Sequence, residues 1–192
     1  MNRNRKTKDD EKVQPPKKPE SVSTQHRWHL ATDAFGVEFT DLEYALMRLN
    51  QSFLRWQSEC MAGVTGINLS GQENTLLHII RMHDRPKTIK ELMQLTNRQD
   101  TPNMQYELRK LLKAELIEKY GTARAGIYYI ATAEGARVCD AYARLRSELL
   151  LDAAKAMPGI KDFAFLATAC MEQVEKVYET STREVATFHR RR

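Results

Sequence analysis

Leu42, Leu46, Leu49, Phe53, Trp56 and Cys60 recur at intervals of 4, 3, 4, 3 and 4 residues, an apolar seam over nearly three heptads. Only a helix puts residues at that spacing on one line, and a seam that regular calls for a second helix against it. The spacing therefore predicts a long helix over residues 38–62 whose partner comes from another chain. "GVTGINLSG" ends it. Before the seam the chain reads differently. Residues 1–25 mix Lys, Pro, Gln, Asp and Ser with two valines, too little apolar surface to offset ordering entropy, so a disordered basic arm is expected there.

Beyond the seam, helix signals come in quick succession. Ser70 with Glu73 spells a capping box opening a helix from Gly71 to Met82, with Leu76, Leu77 and Ile80 inward. Thr88 with Glu91 repeats the signal for a short helix carrying Ile89, Leu92, Met93 and Leu95. "TNRQD" is a turn, and Thr101 as N-cap with Pro102 in the first helical position starts the next helix. Met104, Leu108, Leu111 and Leu112 make its inner stripe. "LIEKY" and "GIYYIAT", joined by "GTARA", form a β-hairpin. Thr132 caps a long helix to about Ala156, stopped by "MPG", and a last helix from Lys161 to about Arg183 carries Phe163, Leu166, Cys170, Val174 and Val177 on one face.

Two short helices, a tight turn between them and a hairpin after them make a winged helix-turn-helix. The expected fold is thus mostly α with a small β-hairpin wing: a winged helix-turn-helix at 66–131, set in a helical dimerisation domain formed by 38–62 and 132–183. Leu42, Leu46, Leu49, Phe53, Phe163, Leu166 and Val174 are the expected dimer contacts.

The charge distribution points to the partner. Residues 1–20 hold seven Lys/Arg against four Asp/Glu, and Arg190 to Arg192 end the chain, so the overall +5 belongs to the two termini. Within the remainder, residues 85–124 hold nine basic residues against five acidic ones, a positive lobe on an acidic body. That is the footprint of a polyanion partner. The outer face of the 101–114 helix fits such a partner. Its N-terminal half offers Pro102, Asn103 and Tyr106, with Gln99 in the approach, where base edges of double-stranded DNA would lie. Arg98, Arg109, Lys110 and Lys113 would neutralise phosphates, and Arg124 at the wing tip would enter the minor groove. Against this stands the plainer reading, a merely solvated helix face.

The same residues carry a resemblance. "LSGQENTLLHII", "TIKELMQLT", "NMQYELRKLLKAELIEK" and "YYIATAEGARV", in this order, resemble the MarR (multiple antibiotic resistance regulator) family, the last matching its post-wing LT-x-x-G motif. The resemblance implies a bacterial, cytoplasmic and nucleoid-associated homodimer binding a pseudo-palindromic operator, with a small-molecule effector held between platform and DNA-binding lobe. It also places Asn103 and Tyr106 where the family's polar helix residues meet DNA. Two positions depart from the pattern: the wing keeps Arg124 without an acidic partner, and Glu115 stands where a glycine normally precedes Leu116.

Other classes find little support. No nucleophile elbow, P-loop or H-E-x-x-H motif occurs, and the eight glycines are not clustered to cradle phosphate. An enzyme is not expected, nor a cofactor. His26 with His29, and His78 with His83, lack companion ligands at a zinc spacing, so no metal is expected. Cys60, Cys139 and Cys170 read as reduced thiols, with Cys60 packed on the seam beside Glu59 rather than acting as a redox sensor. No apolar run approaches a membrane span. The competing function is a winged-helix protein-interaction module without a specific operator.

Overall fold

The computed structural model describes residues 29–31, 33–122 and 124–189; the expected arm at 1–25, His26 and the terminal arginines lie outside them. Helix α1, Ala34–Thr65, starts ahead of the seam at Asp33, whose carboxylate accepts the Gly36 N–H at 2.7 Å. It ends where Gly66 turns left-handed and returns its N–H to the Ala62 carbonyl. The seam is buried only at Cys60. Leu42, Leu46, Leu49 and Phe53 are 37, 41, 56 and 48% exposed in the single chain.

Helix α2, Gly71–Arg81, opens with the full capping box: the Glu73 N–H donates to Ser70 Oγ at 3.2 Å and the Ser70 N–H to Glu73 Oε2 at 2.7 Å. Strand β1, Lys87–Thr88, leads into α3, Ile89–Leu95, capped by the Thr88 hydroxyl. Helix α4 spans Thr101–Lys113, strand β2 Ile117–Thr122, and β3 Gly126–Ala131. Leu76, Leu77, Ile80, Leu92, Met104, Leu108, Leu111, Leu116 and Val138 form one core with almost no solvent contact. Each such side chain contributes roughly 1.5–3 kcal/mol on burial.

The wing is larger than the expected hairpin. The sheet has three antiparallel strands in the order β1-β3-β2, with Lys87 opposite Tyr129 and Ile117 opposite Ala131. A two-residue strand has too few positions to show alternation, so only its pairing with β3 reveals it.

Helix α4 ends in a Schellman motif. The Leu116 N–H reaches back to the Leu111 carbonyl and the Glu115 N–H to the Leu112 carbonyl, both at 3.1 Å. Such a motif places its C′ residue in the left-handed region, and here that residue is Glu115, at φ 57°. The departure at this position therefore leaves the turn unaltered: a glutamate adopts the conformation a glycine would take. A side chain there costs about 1 kcal/mol. Glu115→Gly is expected to raise the melting temperature by about 2–4 °C, read by thermal unfolding; a lower Tm would contradict the strain.

Helix α5, Ala133–Arg146, is capped by Thr132, which accepts the Gly135 N–H at 3.0 Å and donates to the Glu115 carbonyl at 2.7 Å. A wider π-type turn, Ser147–Leu151, and a short helix α6, Asp152–Lys155, carry the helical stretch to the expected stop. Helix α7, Ile160–His189, is longer than expected at both ends. The chain divides into two units between Leu150 and Leu151, so α1 and α5 belong with the winged helix in one unit while α6 and α7 form the other. Within the second unit Leu166 is exposed, and Phe163 and Val174 are half-buried. No described helix is long and apolar enough to cross a membrane.

Candidate nucleic-acid interface

The turn between α3 and α4 is a second Schellman closure. The Arg98 N–H bonds the Met93 carbonyl at 2.9 Å and the Asn97 N–H bonds the Gln94 carbonyl at 3.2 Å, with Asn97 left-handed at φ 50°. Asparagine tolerates that conformation better than most side chains, which is why "TNRQD" turns here. The N-cap of α4 is Asp100, one residue earlier than expected, and Thr101 instead sets its hydroxyl 3.4 Å from Met93 Sδ.

Met104, Leu108 and Leu111 fix the inner face of α4 in the core. Its outer face shows Pro102, Asn103, Tyr106, Arg109 and Lys113 to solvent, with Gln99 exposed in the turn before it. Tyr106 is more than half exposed. The Lys110 ammonium lies 5.9 Å from the Tyr106 ring centre. At the wing tip Arg124 is exposed, and Thr122 Oγ1 accepts the Ala125 N–H at 3.1 Å to shape the turn. Tyr120 and Tyr128, paired across β2 and β3, stack with ring centres 5.7 Å apart.

Not every basic residue of the 85–124 segment faces outward. Arg98 donates to both oxygens of Asp100, at 2.9 and 3.0 Å, and to Glu107 Oε2 at 2.6 Å, and its side chain is only 22% exposed. Lys110 pairs with Glu73, the capping-box carboxylate on α2, at 2.6 Å. Arg85 pairs with Glu91. Lys87 is wholly buried, its ammonium donating to the carbonyls of Ile80, Met82 and Arg85. Lys90, Arg109, Lys113, Lys119 and Arg124 are exposed. The positive lobe is therefore carried outward by these five and by Arg85, exposed even in its pair, while Lys87, Arg98 and Lys110 are wholly or partly buried.

The Arg98 fork keeps the Asp100 carboxyl well below the usual carboxylate range, and a hydrogen bond from Asn103 adds to that. Asp100, Glu107 and Glu73 are the partners that sequence reasoning missed. Arg98 and Glu107 lie nine residues apart across a turn, and Lys110 and Glu73 lie 37 apart, so no helical spacing links either pair.

Cys60 is buried, and burial pushes its thiol up, with Glu59 adding to the shift. That favours the packed thiol over a reactive one. Cys139 is also buried and Cys170 exposed, and all three thiols are unbridged. Among the described residues no three His, Cys, Asp or Glu side chains gather closely enough to hold a metal.

Residues 69–135 match the family model of the winged helix DNA-binding domain. Among solved structures, the chain is similar to Staphylococcus aureus MarR in complex with salicylate and kanamycin, at 15% identity and a TM-score of 0.60, covering 74% of this chain and 93% of that one. It is similar to a cysteine-to-serine mutant of E. coli MarR complexed with operator DNA, at 19% identity and a TM-score of 0.59, covering 74% and 99%. It is also similar to RV1404 from Mycobacterium tuberculosis, at 20% identity and a TM-score of 0.53, covering 69% and 92%. The chain matches no curated protein by sequence. These likenesses are of fold: the chain has the MarR fold, with a winged helix DNA-binding domain inside it.

Proposed function

We propose that this chain is a sequence-specific DNA-binding transcriptional regulator of the MarR type, acting as a homodimer on a pseudo-palindromic operator. The observation that carries the reading is the two-faced helix α4. Three buried residues fix it, while Asn103, Tyr106, Arg109 and Lys113 face solvent. Asn103 and Tyr106 sit in the N-terminal half, which meets base edges, and Arg109, Lys113 and Arg124 lie where phosphates and the minor groove would be met. Arg98 and Lys110, spent on carboxylates, position the helix instead of touching DNA.

The dimer follows from the half-exposed seam of Leu42, Leu46, Leu49 and Phe53, together with Phe163, Leu166 and Val174 on α7. A second copy would bury these surfaces and set two recognition helices about 34 Å apart. A small-molecule effector completes the reading, as the salicylate in the staphylococcal MarR structure suggests for this fold. Asn74 is fully buried with neither Oδ1 nor Nδ2 bonded to a described residue, and His78 Nε2 is buried likewise, its ring 4.6 Å from that of Tyr142.

The test is selection of bound duplexes from a random-sequence pool at physiological salt. An enriched inverted repeat with half-sites about ten base pairs apart is the expected result; unselected DNA, or none, would leave only an interaction module. On the selected operator, Asn103→Ala should cost about 1–3 kcal/mol and relax preference at one base pair, whereas Lys113→Ala should weaken all sequences alike and lower the salt slope by about one. Salicylate added at millimolar concentration should weaken operator binding in the same assay. Equal losses for Asn103→Ala on operator and scrambled DNA would remove its base-reading role.

A further inference from the structure

A carboxylate can only accept hydrogen bonds, whereas a carboxamide carries an acceptor at one end and two donors at the other. At the start of α4 these two groups meet. Asn103 Nδ2 donates to Asp100 Oδ2 at 2.9 Å, and Asp100 is itself gripped by Nε and Nη2 of Arg98. Arg98 is anchored in turn through Nη1 to Glu107, whose side chain is 10% exposed. Because Asp100 offers no donor, Asn103 must turn its amino end toward it and its Oδ1 away. The flip that an exposed asparagine normally makes is closed off.

We propose that Asp100, held by Arg98, fixes the sense in which the exposed Asn103 carboxamide meets a base pair, and so sets base preference at that position without itself touching a base. This rests on the regulator reading above. Adenine shows a donor at N6 and an acceptor at N7 on its major-groove edge, and a carboxamide can engage both. After donating one hydrogen to Asp100, Asn103 keeps a second N–H and Oδ1 for that purpose. An A·T pair and a T·A pair present the donor and acceptor in opposite order across the groove. An amide that flips suits both, and a locked one suits a single order. Asp100 also leaves a carboxylate near the backbone phosphates, which lowers affinity for DNA of any sequence.

Removing Asp100 therefore moves two quantities in opposite directions. Discrimination falls while binding to scrambled DNA holds or strengthens, a combination that general damage to α4 does not give.

The experiment runs the selection in parallel on the full chain, wild type and Asp100→Ala. Both are then titrated on the selected operator and on a version with one pair inverted, the pair whose preference Asn103→Ala erases. The wild type is expected to prefer the selected order on the order of tenfold, and Asp100→Ala to bring the ratio toward one. An unchanged ratio in Asp100→Ala overturns the inference and leaves the regulator reading standing. A wild type that selects no sequence takes down both. Should Asp100→Ala not fold, solvent exchange of the Asn103 side-chain amide protons in the wild type, assigned through their loss in Asn103→Ser, decides the matter. One protected proton supports the lock, and equal exchange of the two refutes it.

Discussion

Gly135→Ala is expected to destabilise the protein by about 3 kcal/mol, although the same change in an open helix stabilises by about 1 kcal/mol. Gly135 lies in the first turn of α5, where a Cβ would overlap the carbonyl oxygen of Leu116 and stand 2.9 Å from its carbon. That carbonyl cannot retreat. It accepts the Thr132 N–H at 3.1 Å, and the N–H of the same residue closes the Schellman motif at the end of α4. The Leu116 side chain is sealed in the core. One residue thus joins the end of α4, the start of β2 and the cap of α5, and the glycine is what lets α5 approach it. Gly63→Ala in α1 is the control, since nothing lies within 4 Å of the added methyl. Denaturant midpoints measure both. A Gly135→Ala protein as stable as the wild type would show that α5 does not approach Leu116 in this way.

Lys87→Met should be costly for a different reason, with DNA binding as the second readout. The Lys87 ammonium satisfies all three of its donors on backbone carbonyls, those of Ile80 at 2.9 Å, Arg85 at 3.1 Å and Met82. These carbonyls end α2 and line a turn in which His83 and Asp84 both hold positive φ. The amine is pushed below its ordinary value, first by burial and then by Arg85. Burying it is thus a cost the hydrogen bonds must offset. Methionine fills much the same volume yet leaves the carbonyls without donors, a loss of about 3 kcal/mol. Because the ammonium is sealed from solvent, the folded Lys87→Met protein should bind DNA with an unchanged salt slope. A smaller slope with unaltered stability would instead put Lys87 at the phosphates.

Lys87 also marks where reading from sequence stops. Counted along the chain it belongs to the basic lobe, as do Arg98 and Lys110, and nothing in local spacing separates them from Arg109 or Lys113. The local signals do hold. Ser70 with Glu73, Thr88 and Thr132 cap the helices they were expected to cap, and Met104, Leu108 and Leu111 are buried as their 3.6-residue period requires. Element order, the wing and the orientation of α4 follow from such signals, because a capping box or an apolar stripe acts within a few residues of itself.

The charges behave otherwise. An ion pair forms with whichever carboxylate the fold brings near, and Glu73 reaches Lys110 only because α2 packs against α4. The third strand arises the same way, from a dipeptide that becomes β structure only beside β3. The sequence by itself thus determined the winged helix and the face that α4 turns outward, since those depend on periodicity and caps. Which basic side chains remain for a polyanion, and which brace the helix that would read it, was decided by tertiary structure, because charge pairing depends on distance in space and is silent about distance along the chain.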